Sequence, residues 1–369
     1  MIRTRTAPRL IAAAAAGFLA LLAGLSPMPA WADLFTVSDV PVDAEATTAA
    51  AAREVALAAG QREAYGKLLR RLTLRQDYDK HPELDDADIA GLVQSFEVDN
   101  EKTSATRYLA NLRVQFSKEA IRELLRAFGI PFSETASRPV LVIPVYETAG
   151  TKLLWDEPNP WMVAWTQHSN AESLVPMFPP LGDLQDITVI TAAQAIDGDA
   201  DRIKALADRY GVSDALVAAA TLSRDFSNNT NRLTVNLFRY GDNPGRVDVL
   251  TFTGAEADGV ESLLMRAVSE VTGRLEEDWK RETTLRFGSE ASLSATVPLN
   301  DLSDWLTIRD RLSQIAEVRK VDIASLSMGD AQLVLHFLGD QEQLSLALAQ
   351  RDLELVDIGG FWTLRMIGQ

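Results

Sequence analysis

The 369-residue chain is long enough for two or three domains of about 100 to 150 residues, because a single hydrophobic core stops growing before this length. Its 47% hydrophobic and 24% charged residues exclude an intrinsically disordered chain. A formal net charge of −16 sets the surface against nucleic acid and anionic lipid, and the absence of cysteine excludes disulfides, a thiol nucleophile, a thiolate metal site and a lipid-modified cysteine anchor.

The first 32 residues have the pattern of a secretory signal. Arg3, Arg5 and Arg9 precede the apolar run Leu10 to Leu25, Pro27 and Pro29 follow, and Ala30-Trp31-Ala32 supplies a small-x-small cleavage site. Cleavage after Ala32 removes three of the 36 basic residues and none of the 52 acidic ones, leaving a mature charge near −19. The apolar run is shorter than the roughly 20 residues that span a bilayer, which favours cleavage over a retained anchor. The expectation is a periplasmic protein exported unfolded, since this segment carries no twin arginine.

Residues 33–136 are predicted to form a βαββα module. A strand over 34–42 leads into an Ala-rich helix, Ala44 to Leu72, with Leu57, Ala64, Tyr65, Leu68 and Leu72 on one stripe. The Asp-rich stretch 73–91 gives a surface loop with a short helix. A hairpin follows, its second strand alternating Tyr108, Ala110, Leu112, Val114 and Phe116 with polar residues. Ser117 caps a helix whose inward stripe is Ala120, Ile121, Leu124, Leu125 and Phe128, ended by Gly129 and Pro131.

Residues 137–288 are predicted to form a three-layer α/β domain around the strand Val140 to Val145, an apolar β-branched run that is buried on both faces. A loop with Trp155, Pro158, Asn159 and Pro160 then enters a helix carrying Trp161 and Trp165. After a Pro-rich loop over 175–184, the pattern predicts a strand at Ile187, Val189 and Ile190, a helix over 200–210, a buried strand from Asp214, two more strands about a turn at 241–245, and a long helix from Asp258 to Trp279.

Residues 289–369 alternate as βαββαβ with one extra strand, the order of a ferredoxin-like sandwich. The fold class is therefore α+β and α/β, in three small domains.

Val40-Pro-Val, the helix end Lys67-Leu-Leu-Arg-Arg-Leu-Thr, the junction from Tyr108 to Ser117, and Arg138-Pro-Val-Leu-Val-Ile-Pro with Trp155, Asn159-Pro-Trp161 and Trp165 together resemble the DUF2066 family of uncharacterised exported proteins of Gram-negative bacteria. The order of the first module is similar to small βαββα modules of envelope assembly and flagellar outer-ring proteins. The middle domain, with Tyr210-Gly-Val-Ser-Asp-Ala-Leu-Val-Ala, resembles the N-terminal domain of TolB and the secretion protein CsgG. These resemblances imply an envelope protein and no particular reaction.

No residue pattern commits the chain to catalysis. His81, His168 and His336 fall in different units, no G-x-S-x-G elbow or phosphate-cradling glycine loop occurs, and Asp197-Gly-Asp199-Ala-Asp201 departs from a calcium loop at Arg202 and Asp208. Acidic residues there fit the first turn of a helix. No metal or other cofactor is expected.

The candidate contact residues are Trp155, Pro158, Asn159, Pro160, Trp161 and Trp165. Indole rings offer broad apolar area, and prolines fix a loop so that little entropy is lost on binding. The competing reading is that the tryptophans seal a sheet edge, since Trp161 and Trp165 are four apart on one helical face. The functional expectation is a non-enzymatic adaptor or assembly factor with an envelope protein as partner. The alternative is a small-molecule or peptide binder, or an enzyme, using Glu147, Asp156, Glu157 or His168 beside the loop. A homo-oligomeric scaffold is a third reading.

Overall fold

A computed structural model describes residues 33–168, 172–241, 247–284 and 290–368. The signal-like segment over 1–32 lies outside the described residues.

The first sheet has the antiparallel order β1-β3-β2, built from β1 (Thr36–Glu45), β2 (Val93–Thr103) and β3 (Arg107–Phe116). Helix α1 (Ala49–Leu72) lies across it, with a short 3-10 turn (Arg75–Lys80) and α2 (Asp86–Leu92) leading back to the sheet. β1 runs through Glu45, so the long helix begins later than its alanines suggest. Thr48 supplies the N-cap by accepting from the Ala51 N–H. Ala52, Ala56, Gly60 and Ala64 carry the close approach, and Tyr65, Leu68, Leu69 and Leu72 fill the core below it. Helix α3 (Lys118–Ala127), capped by Ser117, buries Ile121 and Leu125. Phe128, expected on its inward stripe, is 55% exposed, because the helix ends at Ala127 and the chain turns away at Gly129.

The middle sheet has the order β5-β4-β7-β8-β9, with β6 also pairing β4. These strands are β4 (Val140–Thr148), β5 (Thr151–Leu153), β6 (Met177–Phe178), β7 (Asp214–Asp225), β8 (Thr230–Tyr240) and β9 (Val247–Ala255). β4 and β7 run parallel, from Val140 opposite Asp214 to Thr148 opposite Leu222, and β7-β8-β9 form an antiparallel meander. Their alternating side chains feed two cores. One face carries Val142 and Tyr146 and packs on α4 (Pro160–Gln167) and on the long helix α8 (Gly259–Thr283). The other carries Leu141, Ile143 and Val145 and packs on α6 (Ala192–Asp197) and α7 (Ala200–Arg209). This is the expected three-layer arrangement.

The strand expected at Ile187, Val189 and Ile190 is absent. Residues Leu184–Val189 form helix α5, with Asp183 accepting from the Gln185 and Asp186 N–H groups, and Thr191 and Gln194 make a capping box that opens α6. Two N-caps within nine residues outweigh the weak β preference of three branched side chains. Asp199 likewise caps α7 by accepting from the Arg202 N–H, which accounts for the acidic run there.

The C-terminal sheet has the order β11-β12-β10-β14-β13, formed by β10 (Glu290–Pro298), β11 (Val318–Leu326), β12 (Asp330–Leu338), β13 (Leu353–Ile358) and β14 (Phe361–Met366). Helices α9 (Leu302–Ser313) and α10 (Gln341–Ala349) cover one face, over a core that includes Leu293, Trp305, Leu333, Leu335 and Leu348. The extra strand is internal: β14 lies between β10, to which it is parallel, and β13.

Asp33 onward forms one compact unit, so the three sheets are joined by buried polar contacts. Lys280 Nζ of α8 donates to the Arg70 and Thr73 carbonyls at the end of α1, at 3.0 and 2.7 Å. The Arg75 N–H donates to Glu277, and Ser133 and Thr283 share a hydroxyl contact of 2.6 Å. Arg138 reaches the Ala349 carbonyl at the end of α10 and Asp352 just before β13.

Candidate functional site

Chain leaving β5 crosses the edge of the middle sheet and enters α4 through Asn159. Its side chain is the fixed point of the loop: Oδ1 accepts from the Trp161 and Met162 N–H groups at 3.1 Å, and Nδ2 donates to the Leu154 carbonyl at 3.0 Å. Pro160 stands at the first helical position, where its missing N–H costs nothing. The Glu157–Pro158 peptide is cis.

This geometry separates the six sequence candidates. Trp161 is fully enclosed, donates from Nε1 to the Ala218 carbonyl at 3.0 Å, and meets Trp165 edge-on with ring centroids 5.7 Å apart. Trp165 and Asn159 are also buried. The two tryptophans are therefore part of the core that joins α4 to the sheet and to α8, while Asn159 braces the loop and borders the cleft. Trp155, Pro158 and Pro160 remain at the surface and line a cleft.

The cleft has a volume of about 940 Å³ and lies between the Leu154–Gln167 segment, Leu181 and Gly182, and the start of α8. Met162, Val163, Val260 and Met265 give it an apolar lining. Leu181 is 82% exposed and Val163 47% exposed at its rim. Asp156, Glu157 and Glu261 are the charged residues in the lining, all acidic.

Its far wall is held by a buried carboxylate. Asp186 of α5, fully enclosed, accepts from the Gly182 N–H at 2.9 Å and the Tyr210 hydroxyl at 2.7 Å, and pairs with Arg209. Burial, with the hydrogen bond to Asp186, pushes the Tyr210 hydroxyl up to about 12, so it stays a donor through the physiological range. The same hydroxyl accepts from the Leu181 N–H at 2.7 Å. Backbone N–H contacts from Asp186 and the Arg209 guanidinium hold the Asp183 carboxyl below its usual range. Trp155 Nε1 donates to the Ile190 carbonyl at 2.7 Å, and a side chain at the left-handed Gly182 (φ +73°) would meet the indole. The Leu181 and Gly182 N–H groups and the Trp155 indole N–H are thus all engaged.

The four polar groups of the alternative reading do not converge. Asp156 and Glu157 line the cleft, whereas Glu147 lies on β4 beside Thr221. His168 contacts the Thr272 hydroxyl through Nε2 at 3.1 Å, and burial lowers its pKa. Leu181, Gly182, Val260, Glu261 and Met265 were missed by the sequence reading. Leu181 and Gly182 sit in a Pro-rich loop that was recognised, but nothing in the sequence places that loop, or the first turns of α8, against Trp155.

Among known proteins, a family model described as a domain of unknown function (DUF8605) matches residues 36–134, the span from β1 to just beyond α3. No curated protein matches the chain. The crystal structure of the lipoprotein GNA1162 from Neisseria meningitidis is similar over 37% of this chain and 96% of that one, with 19% identity and a TM-score of 0.24, a likeness that carries no inference for fold or function. Among the described residues no helix is long and apolar enough to cross a membrane, and no group of three or more His, Asp or Glu side chains is placed to hold a metal ion.

Proposed function

We propose that the chain is an exported, non-catalytic protein of the cell envelope that works by holding a partner protein in the cleft beside Trp155. The observation that carries this reading is the combination of an apolar rim, Leu181 and Val163, with walls already fixed by Asn159, Asp186 and Tyr210. A preformed apolar surface loses little entropy when it is covered, so its contact area is converted to affinity with small cost. The signal-like N-terminus and the DUF2066 resemblance support the envelope setting. The volume of the cleft also falls within the roughly 300–1,000 Å³ typical of small-molecule sites, which keeps a small ligand as the second reading.

In-cell photo-cross-linking separates these. A photo-reactive residue belongs at Val163, which faces the cleft and is exposed, in place of the enclosed Trp161. A discrete envelope protein captured from Val163, and lost when Leu181 is changed to Asp, is the expected result. Adducts only with copies of the same chain would replace the adaptor reading by a self-assembling scaffold, and the absence of any protein adduct would leave the small-ligand reading.

A further inference from the structure

We infer that the occupant of the cleft is a segment of another protein in which cationic side chains alternate with apolar ones, Lys or Arg groups meeting Asp156, Glu157 and Glu261 while apolar groups cover Val163, Leu181 and Met265. This rests on the docking reading above and names the chemistry of the partner. The three ionisable side chains in the lining are all carboxylates. A carboxylate only accepts hydrogen bonds, so a ligand group that pairs with these three must be a donor. Four of the donors on the walls are already engaged within the protein. Trp155 Nε1 is taken by the Ile190 carbonyl, the Leu181 N–H by Tyr210, the Gly182 N–H by Asp186, and the Asn159 amide by the Leu154 carbonyl. An anionic segment or a phosphate would meet three like charges. A cationic, apolar segment is complementary in both respects, and the acidic balance of the whole chain speeds its approach.

The test uses the full chain and three labelled synthetic peptides, alternating Leu with Lys, Leu with Glu, and Ser with Lys, followed by fluorescence anisotropy at physiological salt. Saturable binding of the Leu/Lys peptide, with both others at least about tenfold weaker, is expected, since one lost favourable contact set of about 1.4 kcal/mol is a factor of ten. The double reversal E157K/E261K should weaken the Leu/Lys peptide by about tenfold or more, whereas Glu97→Lys, on the exposed edge strand β2, should leave it unchanged. All the substituted positions are exposed, and an unchanged melting temperature confirms folding. Equal weakening by E97K and by the cleft reversal would mean attraction to the acidic surface at large, and would overturn the inference. So would equal binding of the Ser/Lys peptide, which would mark a charge-only interaction. Tight binding of the Leu/Glu peptide, with a Val163 protein adduct still captured in cells, would overturn the cationic partner and leave the docking reading standing. No peptide binding and no adduct would overturn both.

Discussion

Glu317 sits where the linker after α3 meets the C-terminal sheet, and it is 1% exposed. One carboxylate oxygen accepts from the Thr135 hydroxyl at 2.5 Å, while the other has no hydrogen-bond partner among the described residues. Burial, opposed by the Thr135 contact, pushes its pKa above the ordinary value of 4.5. A carboxyl raised on folding binds its proton more tightly in the native state, so its stabilising share is complete below pH 4.5 and is lost as pH rises toward the folded value. Glu317→Gln keeps the acceptor for Thr135 and carries no charge. Urea unfolding should find the variant at least as stable as the native chain at pH 7, and a flatter loss of stability above pH 4.5; a variant less stable at pH 7 would show that the carboxylate is held charged. None of this is visible in the sequence, where Glu317 is one of 52 acidic residues. Spacing did place Trp161 and Trp165 on one helical face, because a period of 3.6 is a local property. Whether that face looked inward depended on α8, about a hundred residues later, and so was open until the fold was known. The rim residue Leu181 carried no signal at all beyond its prolines.

At the scale of elements, α1 lies close against its sheet. A Cβ at Gly60 would collide with the side chains of Leu112 and Val42, both buried. Replacing a mid-helix glycine by alanine gains about 0.5–1 kcal/mol in helix preference, whereas overfilling a packed core costs about 1–3 kcal/mol. The core term wins, and Gly60→Ala should lower stability in urea unfolding despite the better helix former; an increase would mean that α1 has room to move outward. The strong elements were legible for a related reason. β3 alternates strictly because one face is covered and the other open, and α7 shows its stripe of Ile203 and Leu206 for the same cause. The failures lie where local signals compete. Ile187, Val189 and Ile190 favour a strand, but Asp183 and Thr191 cap helices on either side, and tertiary packing of Asp186 against Arg209 and Tyr210 settles the contest. The order βαββαββ in the last unit could be read from patterning. The insertion of β14 between β10 and β13 could not, since strand order is set by non-local pairing.

Across the whole molecule, the first sheet is tied to the rest through a buried lysine. Lys280 is 3% exposed and donates to two carbonyls at the C-terminal end of α1, with Glu277 3.4 Å away. Lys280→Met removes the cation beside Glu277 and the donor to the Thr73 carbonyl, and breaking a buried ionic contact by removing one member costs about 3–5 kcal/mol. Hydrogen exchange should then show lost protection over the last turn of α1 and the adjoining turn at Arg75–Lys80, before any loss in the middle sheet. Uniform loss across all three sheets would instead mean that they unfold as one.

Helix α8 gives that seam a second significance. At 1.5 Å per residue its 25 residues make a rod of roughly 37 Å. Val260, Glu261 and Met265 near one end line the cleft, and Glu277 and Lys280 near the other hold the Arg75 turn and the end of α1. A helix resists compression far better than a loop does, so the two ends share one rigid member, with the middle sheet as its bearing. Whatever wedges between Met265 and Trp155 therefore loads the same beam on which the amino-terminal sheet is hung.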